Sequence, residues 1–134
     1  MVAFTIPGSP ATKKTSNQIV GKKRRFVMPS KTHQQWFKGA LVHALQAKLH
    51  HVLGGQKFPL TGPLHVKALF YRGDHRRVDL SNLVEALADL LQKVRIIDDD
   101  YSVESWDGSR RLYDDVRPRI DVEITPLSTE GWSG

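Results

Sequence analysis

Two consecutive runs decide the fold: LHVKALFY at residues 64–71, then RRVDLSNLVEALADLLQKVRIIDDD at residues 76–100. In the first, Leu64, Val66, Ala68 and Phe70 alternate with His65, Lys67, Leu69 and Tyr71, the two-residue period of a strand with one face on a core. In the second the period becomes helical. Leu83, Leu87, Leu90 and Val94 form an apolar stripe behind Asp79, a residue type suited to cap a helix N-terminus. Asn82, Glu85, Asp89 and Lys93 share a second, polar stripe about 80° wide.

Working outward, a further strand is predicted near residues 103–106, and residues 119–125 alternate again with Ile120, Val122 and Ile124 inward. Before the first run, Val2, Phe4 and Ile6 alternate up to Pro7 and Gly8, and residues 25–28 read as a second short strand. Pro29 and Ser30 introduce a long helix with Thr32 and Gln35 spaced as a capping box and Phe37, Leu41, Leu45, Leu49 and Val52 as its apolar row; Gly54 and Gly55 end it. Trp36 reads as packing rather than as a base-stacking ring, and His33, His43, His50 and His51 as surface or DNA-facing residues, because no HExxH accompanies them. The order ββαβαββ predicts an α/β fold: one domain over residues 1–134, a mixed sheet packed with two main helices, a flexible basic loop at 10–25 and a disordered tail at 128–134.

Charge narrows the function. The 134-residue chain carries a net charge of +6, but residues 1–73 hold twelve Lys and Arg and no acid, whereas residues 74–134 hold eight against fourteen acids. An acid-free half fits repeated contact with phosphates better than it fits solubility alone. Lys13, Lys14, Lys22, Lys23, Arg24 and Arg25 are the candidate backbone contacts in the loop; Arg76, Arg77, Arg110 and Arg111 flank the acidic segment. The chain has no Cys, which excludes disulfides, thiolate zinc sites and a cysteine nucleophile. No apolar run reaches the roughly 18 residues of a membrane span, and the N-terminus lacks a signal pattern, so a soluble, cytoplasmic protein is expected.

Asp98, Asp99 and Asp100 follow the helix without a break. Adjacent carboxylates repel one another and call for a cation, and hard oxygen donors select Mg²⁺ or Mn²⁺ over zinc. In a DNA-binding chain such a cluster repels phosphate unless an ion reverses its sign. The plain alternative makes Asp79 only a cap and the triplet only a turn.

At these residues the sequence resembles the RusA family of crossover-junction endodeoxyribonucleases of bacteria and their phages. DLSNL at 79–83, followed after a helix's length by IIDDDYSV at 96–103, is similar to that family's DLDNL and DDxxV core, without a gap from Asp79 to Val103 and loosely to the first and last strands. The resemblance places the family's first essential aspartate on Asp79 and the one after the helix on Asp100, with Asp99 beside it. It implies a homodimeric, Mg²⁺-dependent hydrolase that resolves four-way junctions by paired cuts in recombination, repair or phage DNA processing, within a bacterial or phage-infected cell.

Two positions depart from the best-studied branch: Ser81 stands for a second aspartate and Glu85 for a functionally important lysine. DGSRRLYDDVRPR at 107–119 resembles a phage-type branch. A glutamate repels phosphate unless it binds metal, so Glu85 is expected to replace the ligand lost at Ser81, and Asp79, Glu85, Asp99 and Asp100 to converge on one metal site. Cationic assistance then falls to Lys93, Arg110 or Arg111. The rival from another class is a branched-DNA-binding protein derived from such a nuclease that no longer cuts. A restriction-type core is not supported, since no acid is followed two residues on by Lys; nor is a nucleotide-using or acyl-transfer enzyme, since no Walker loop or nucleophile elbow occurs.

If the loop grips phosphates, the logarithm of the DNA binding constant falls linearly with the logarithm of salt, by about 0.9 per contact on duplex. Replacing Lys22, Lys23, Arg24 and Arg25 together by Ala flattens that slope; an unchanged slope in a salt titration removes the loop from the interface.

Overall fold

The strand read at residues 64–71 extends by one residue, as β4 (Leu64–Arg72), and both of its edges are paired in the computed structural model, which describes residues 1–12, 18–20, 26–28 and 31–127. On one edge it runs antiparallel to β7 (Arg119–Pro126), from Leu64↔Pro126 to Tyr71↔Arg119; β7 in turn pairs antiparallel with β1 (Val2–Pro7). On the other edge two short strands follow in parallel, β5 (Val103–Ser105) beside Leu64 and His65, and β6 (Arg110–Tyr113) beside residues 69–72. Between them the chain turns at Gly108 (φ +85°), and the Ser109 hydroxyl accepts the Ala68 N–H at 3.0 Å, which keeps both pieces on the β4 edge. A separate antiparallel pair joins β2 (Gln18–Val20) and β3 (Phe26–Met28).

Parallel neighbours require a crossover, and α2 (Leu80–Lys93) supplies it between β4 and β5. It buries Leu83, Ala86, Leu87, Ala88, Leu90 and Leu91. Val66, Ala68 and Phe70 of β4, Ile120, Val122 and Ile124 of β7, and Val2 and Ile6 of β1 belong to the same continuous core. Each large side chain fully withdrawn from water contributes roughly 1.5–3 kcal/mol.

The end of α2 is set by its backbone. Arg95 adopts a left-handed φ of 59°, its N–H bonds Gln92 O, and the Ile96 N–H bonds Leu91 O, the paired pattern that closes a helix where glycine is commoner. Ile96 and Ile97 then bury completely, and Ile97 bridges to Leu60. Strong apolar anchoring outweighs the cost, on the order of 1 kcal/mol, of a side chain in that region.

The α/β architecture with a mixed sheet and two helices is the one expected, with three differences. The apolar row expected along α1 (Lys31–Leu53) turns away from the core: His33, Trp36, Ala40 and Ala44 are buried, Phe37 and Leu41 half-buried, while Leu45 is 51% and Leu49 58% exposed and Val52 exposed with them. A row at every fourth residue advances about 40° per step, so after three steps it has left the packing face, and small alanines there let the helix sit close. His33 is therefore an interior residue, with rings 6.1 Å from Trp36 and 5.6 Å from Phe37, not a surface one.

Second, the segment expected to be an unstructured loop over 10–25 contains β2, three residues that are too few to show a period. Third, β6 went unpredicted, because Arg110 to Tyr113 do not alternate in polarity; the free edge of β4 is what makes them a strand. Lys13, Lys14, Lys22, Lys23, Arg24, Arg25 and the tail at 128–134 lie outside the described residues.

Candidate functional site

The first element of the site is the segment from Gly73 to Asp79, which links β4 to α2 and is pinned from three sides. The Gly73 N–H donates to the Ser9 hydroxyl at 2.9 Å. Arg72, buried at the end of β4, donates to Pro10 O and Arg76 O and lies 3.5 Å from Asp74. From β6, Arg111 donates to Val78 O. Carbonyls that would otherwise face the mouth of a loop are thus held by guanidinium groups. In front of them opens a cavity of about 360 Å³ lined by residues 72, 74–78 and 111–113.

Asp79 ends this segment in the backbone position of an N-cap, its carbonyl accepting from the N–H groups of Asn82 and Leu83 at 3.1 and 3.3 Å. Its side chain makes no capping bond. An aspartate that occupies the cap without capping keeps an exposed carboxylate for another partner.

The second element is the acidic triplet, whose members have separate duties. Asp98 is structural: it accepts from the Ser102 hydroxyl at 2.6 Å and from the Asp99 N–H at 2.9 Å. Asp99 caps the short 3₁₀ helix Asp100–Ser102 by accepting from the Tyr101 N–H at 3.0 Å. That backbone bond, followed by a side-chain bond with Asp100, holds the Asp99 carboxyl below the usual carboxylate range. Asp100 is pushed the other way, first because it holds the proton of the bond to Asp99, then by burial and by the charges of Asp99 and Asp89. Adjacent and exposed, the two carboxyls offer hard oxygen donors of the kind that suit Mg²⁺ or Mn²⁺.

α2 sets how far apart the two elements lie. Asp89 is close enough to Asp100 to raise its carboxyl, yet it stands ten residues along the helix from Asp79, about 15 Å at 1.5 Å per residue. Asp79 and Asp100 therefore mark opposite ends of α2. Among the described residues no group of three or more His, Asp or Glu side chains is gathered closely enough to hold a metal, so the expected convergence of Asp79, Glu85, Asp99 and Asp100 does not occur within one chain. Helix length is the reason. Ser81, Glu85, Asp89 and Lys93 form the exposed ribbon that connects the two ends.

Of the flanking cations, Arg76, Arg77 and Arg111 line the cavity beside Asp79. Arg110 alternates with Arg111 and so leaves the sheet on the opposite face. Sequence reasoning did not single out Arg72, His75 and Tyr113, which line the cavity, or Asp89, which lies near Asp100. Arg72 carried a usable signal, since alternation from Leu64 puts it on the inward face, where an unassisted charge is costly.

A family model described as endodeoxyribonuclease RusA matches residues 7–125. No curated protein matches the chain. Among the described residues, no helix is long and apolar enough to cross a membrane.

The acidic turn rests on Gly62. A Cβ there would stand 2.6 Å from Ser102 O and 2.9 Å from Ser102 Cα, backbone atoms that cannot swing aside. Gly62→Ala should therefore lower unfolding stability by about 1–3 kcal/mol in denaturant titration. An unaltered midpoint would show that the turn yields freely and that Gly62 does not position it.

Proposed function

The chain belongs to the RusA endodeoxyribonuclease family, and from that premise we propose that it is a divalent-cation-dependent nuclease that resolves four-way DNA junctions by paired cuts, with Asp79, Asp99 and Asp100 as its metal-binding carboxylates. The observation that carries this reading is the exposed Asp79 carboxylate, which makes no capping bond, at one end of α2 and the adjacent exposed Asp99 and Asp100 on the acidic turn at the other. Neither set suffices alone. A two-fold axis that sets two copies of α2 antiparallel would bring Asp79 of one chain to Asp99 and Asp100 of the partner subunit, and would form two equivalent sites for the two symmetry-related strands of a junction. The exposed apolar row on α1, Val42, Leu45, Leu49 and Val52, is the surface such a pairing would cover.

When bound, the cation supplies a deprotonated water and neutralises charge at the scissile phosphate. The chain's own groups do the rest. Arg76, Arg77 and Arg111 hold backbone phosphates at the Asp79 end, and the Arg72 and Arg111 bonds to Arg76 O and Val78 O keep that end from shifting as DNA binds. Lys93, exposed at the C-terminal end of α2 near Asp89, is the cation closest in sequence to the acidic turn on the same ribbon. Branched DNA is the substrate, with the basic loop gripping its arms.

Pairing makes a sharp prediction. Asp79→Asn and Asp100→Asn each abolish cleavage and leave junction binding intact. Refolded together, the two variants should regain nicking at about a quarter of the wild-type sites, because half the dimers are mixed and each holds one intact composite site. Those nicks will be single, not paired. Recovery of nothing would place both carboxylate sets of a site in one chain; a wild-type protein that binds junctions with Mg²⁺ present but never cuts them would make it a binding-only member.

Glu85 lies one turn beyond Ser81 on the exposed ribbon, between the two carboxylate ends. As a compensating ligand it should, when changed to Gln, raise the Mg²⁺ concentration needed for half-maximal cleavage, and Ser81→Asp should partly reverse that rise. Greater activity of Glu85→Lys at ordinary Mg²⁺ would show that Glu85 does not serve the metal.

A further inference from the structure

The cavity in front of Asp79 brings two chemistries together. Its wall carries four arginines, Arg72, Arg76, Arg77 and Arg111, against one acid, Asp74. Its rim carries a stacked pair: the rings of His75 and Tyr113 lie 3.8 Å apart with 24° between their planes. The partners come from different elements, His75 from the segment before α2 and Tyr113 from the end of β6, so two independently anchored stretches meet there. Both residues remain exposed, which leaves ring surface open to the solvent.

The guanidinium groups divide in the same way. Arg72 is buried, and both it and Arg111 are fixed by bonds to Arg76 O and Val78 O. The Arg76 side chain stands 67% exposed, 3.9 Å from Asp74, and Arg77 is exposed beside it. Cations fixed by main-chain carbonyls beside exposed cations suit a phosphate; the flat π surface suits a base. The volume of about 360 Å³ is within the range of small-ligand pockets, about 300–1,000 Å³.

We propose that this cavity is a subsite for one unpaired nucleotide of the DNA, with its phosphate on Arg76, Arg77 and Arg111 and its base extending the Tyr113 and His75 stack. A base within a duplex has both faces covered by neighbours and cannot take such a position. A base at a branch, where stacking is interrupted, has a face to offer. The subsite thus reads the branch by the availability of a base face and sets the distance from that base to Asp79, the next residue after Val78 in the cavity wall. The proposal rests on the nucleic-acid reading of the chain and deepens it.

The test uses 2-aminopurine, whose fluorescence falls when it stacks, in three DNAs: an unpaired position at the centre of a junction, a short single strand, and the middle of a duplex. Divalent cations are left out so that nothing is cut. Binding of the wild-type protein should quench the first two probes and leave the duplex probe unchanged. Tyr113→Ala should abolish the quenching and weaken single-strand binding about tenfold, in line with one lost base-stacking contact; Tyr113→Phe should retain both. Arg77→Ala should keep the quenching and reduce the single-strand salt slope by about 0.7.

Quenching that survives in Tyr113→Ala while the DNA stays bound overturns the subsite. So does binding of free deoxyadenosine monophosphate as tight as that of the oligonucleotide, which would make the cavity a mononucleotide site. The single-strand arm separates this proposal from the nuclease reading: quenching that depends on Tyr113 supports the subsite even where the protein cuts no junction, and junction cutting without such quenching leaves the nuclease reading intact and the subsite refuted.

Discussion

The antiparallel lie of α2 along β4 is the constraint on which the rest depends. A parallel β5 beside β4 forces a crossover, and the apolar stripe of Leu83, Leu87, Leu90 and Leu91 fastens that crossover to the core formed by Val66, Ala68 and Phe70. Once the helix is fixed in this direction, its start must lie at the far end of β4, beside Arg72, and its finish near Leu64. The two sets of carboxylates inherit those addresses. No local adjustment of a turn could bring them together, since the helix between them is rigid and buried along one side.

Much of this was legible from residue periods. The change from a two-residue to a helical repeat between Phe70 and Leu83 fixed the central strand and its helix, and the acids flanking the helix mark both ends of the proposed site. The spatial relation of those acids was not legible. Asn82, Glu85, Asp89 and Lys93 look contiguous on a helical wheel, and the acids at either end look continuous with them, because a wheel projects out the axis along which they are separated. The same projection misled the reading of α1, where Leu45 and Leu49 seem to continue a row begun by Phe37 and Leu41 but face solvent. β6 was hidden for a different reason: Arg110 and Arg111 carry no strand signal of their own and take their conformation from the ladder that β4 offers.

Arginine has an unusual part in the loop before Asp79. Arg72 and Arg111 spend guanidinium donors on main-chain carbonyls, so charges that look destined for phosphate also act as struts. A planar group with five donors can do both at once, and a lysine could not. This explains why a charged side chain is tolerated on the inward face of the central strand: Arg72 is buried, but its donors are met by Pro10 O and Arg76 O, and Asp74 is its counter-ion. The triplet after α2 shows a comparable division of labour, with Asp98 holding Ser102 and the Asp99 N–H, Asp99 capping the 3₁₀ turn, and Asp100 bound to neither duty.

The separation of the carboxylate sets along α2 also bears on safety. A nuclease in a cell is surrounded by continuous DNA that it must not cut. In the proposed pairing a newly made chain carries only half of each cutting centre, and stays harmless until it meets a second. At low abundance its cutting capacity would then rise with the square of its concentration, not in proportion to it. Dosage, set by how much protein is made and how tightly two copies associate, becomes a threshold built from nothing more than the length of a fourteen-residue helix.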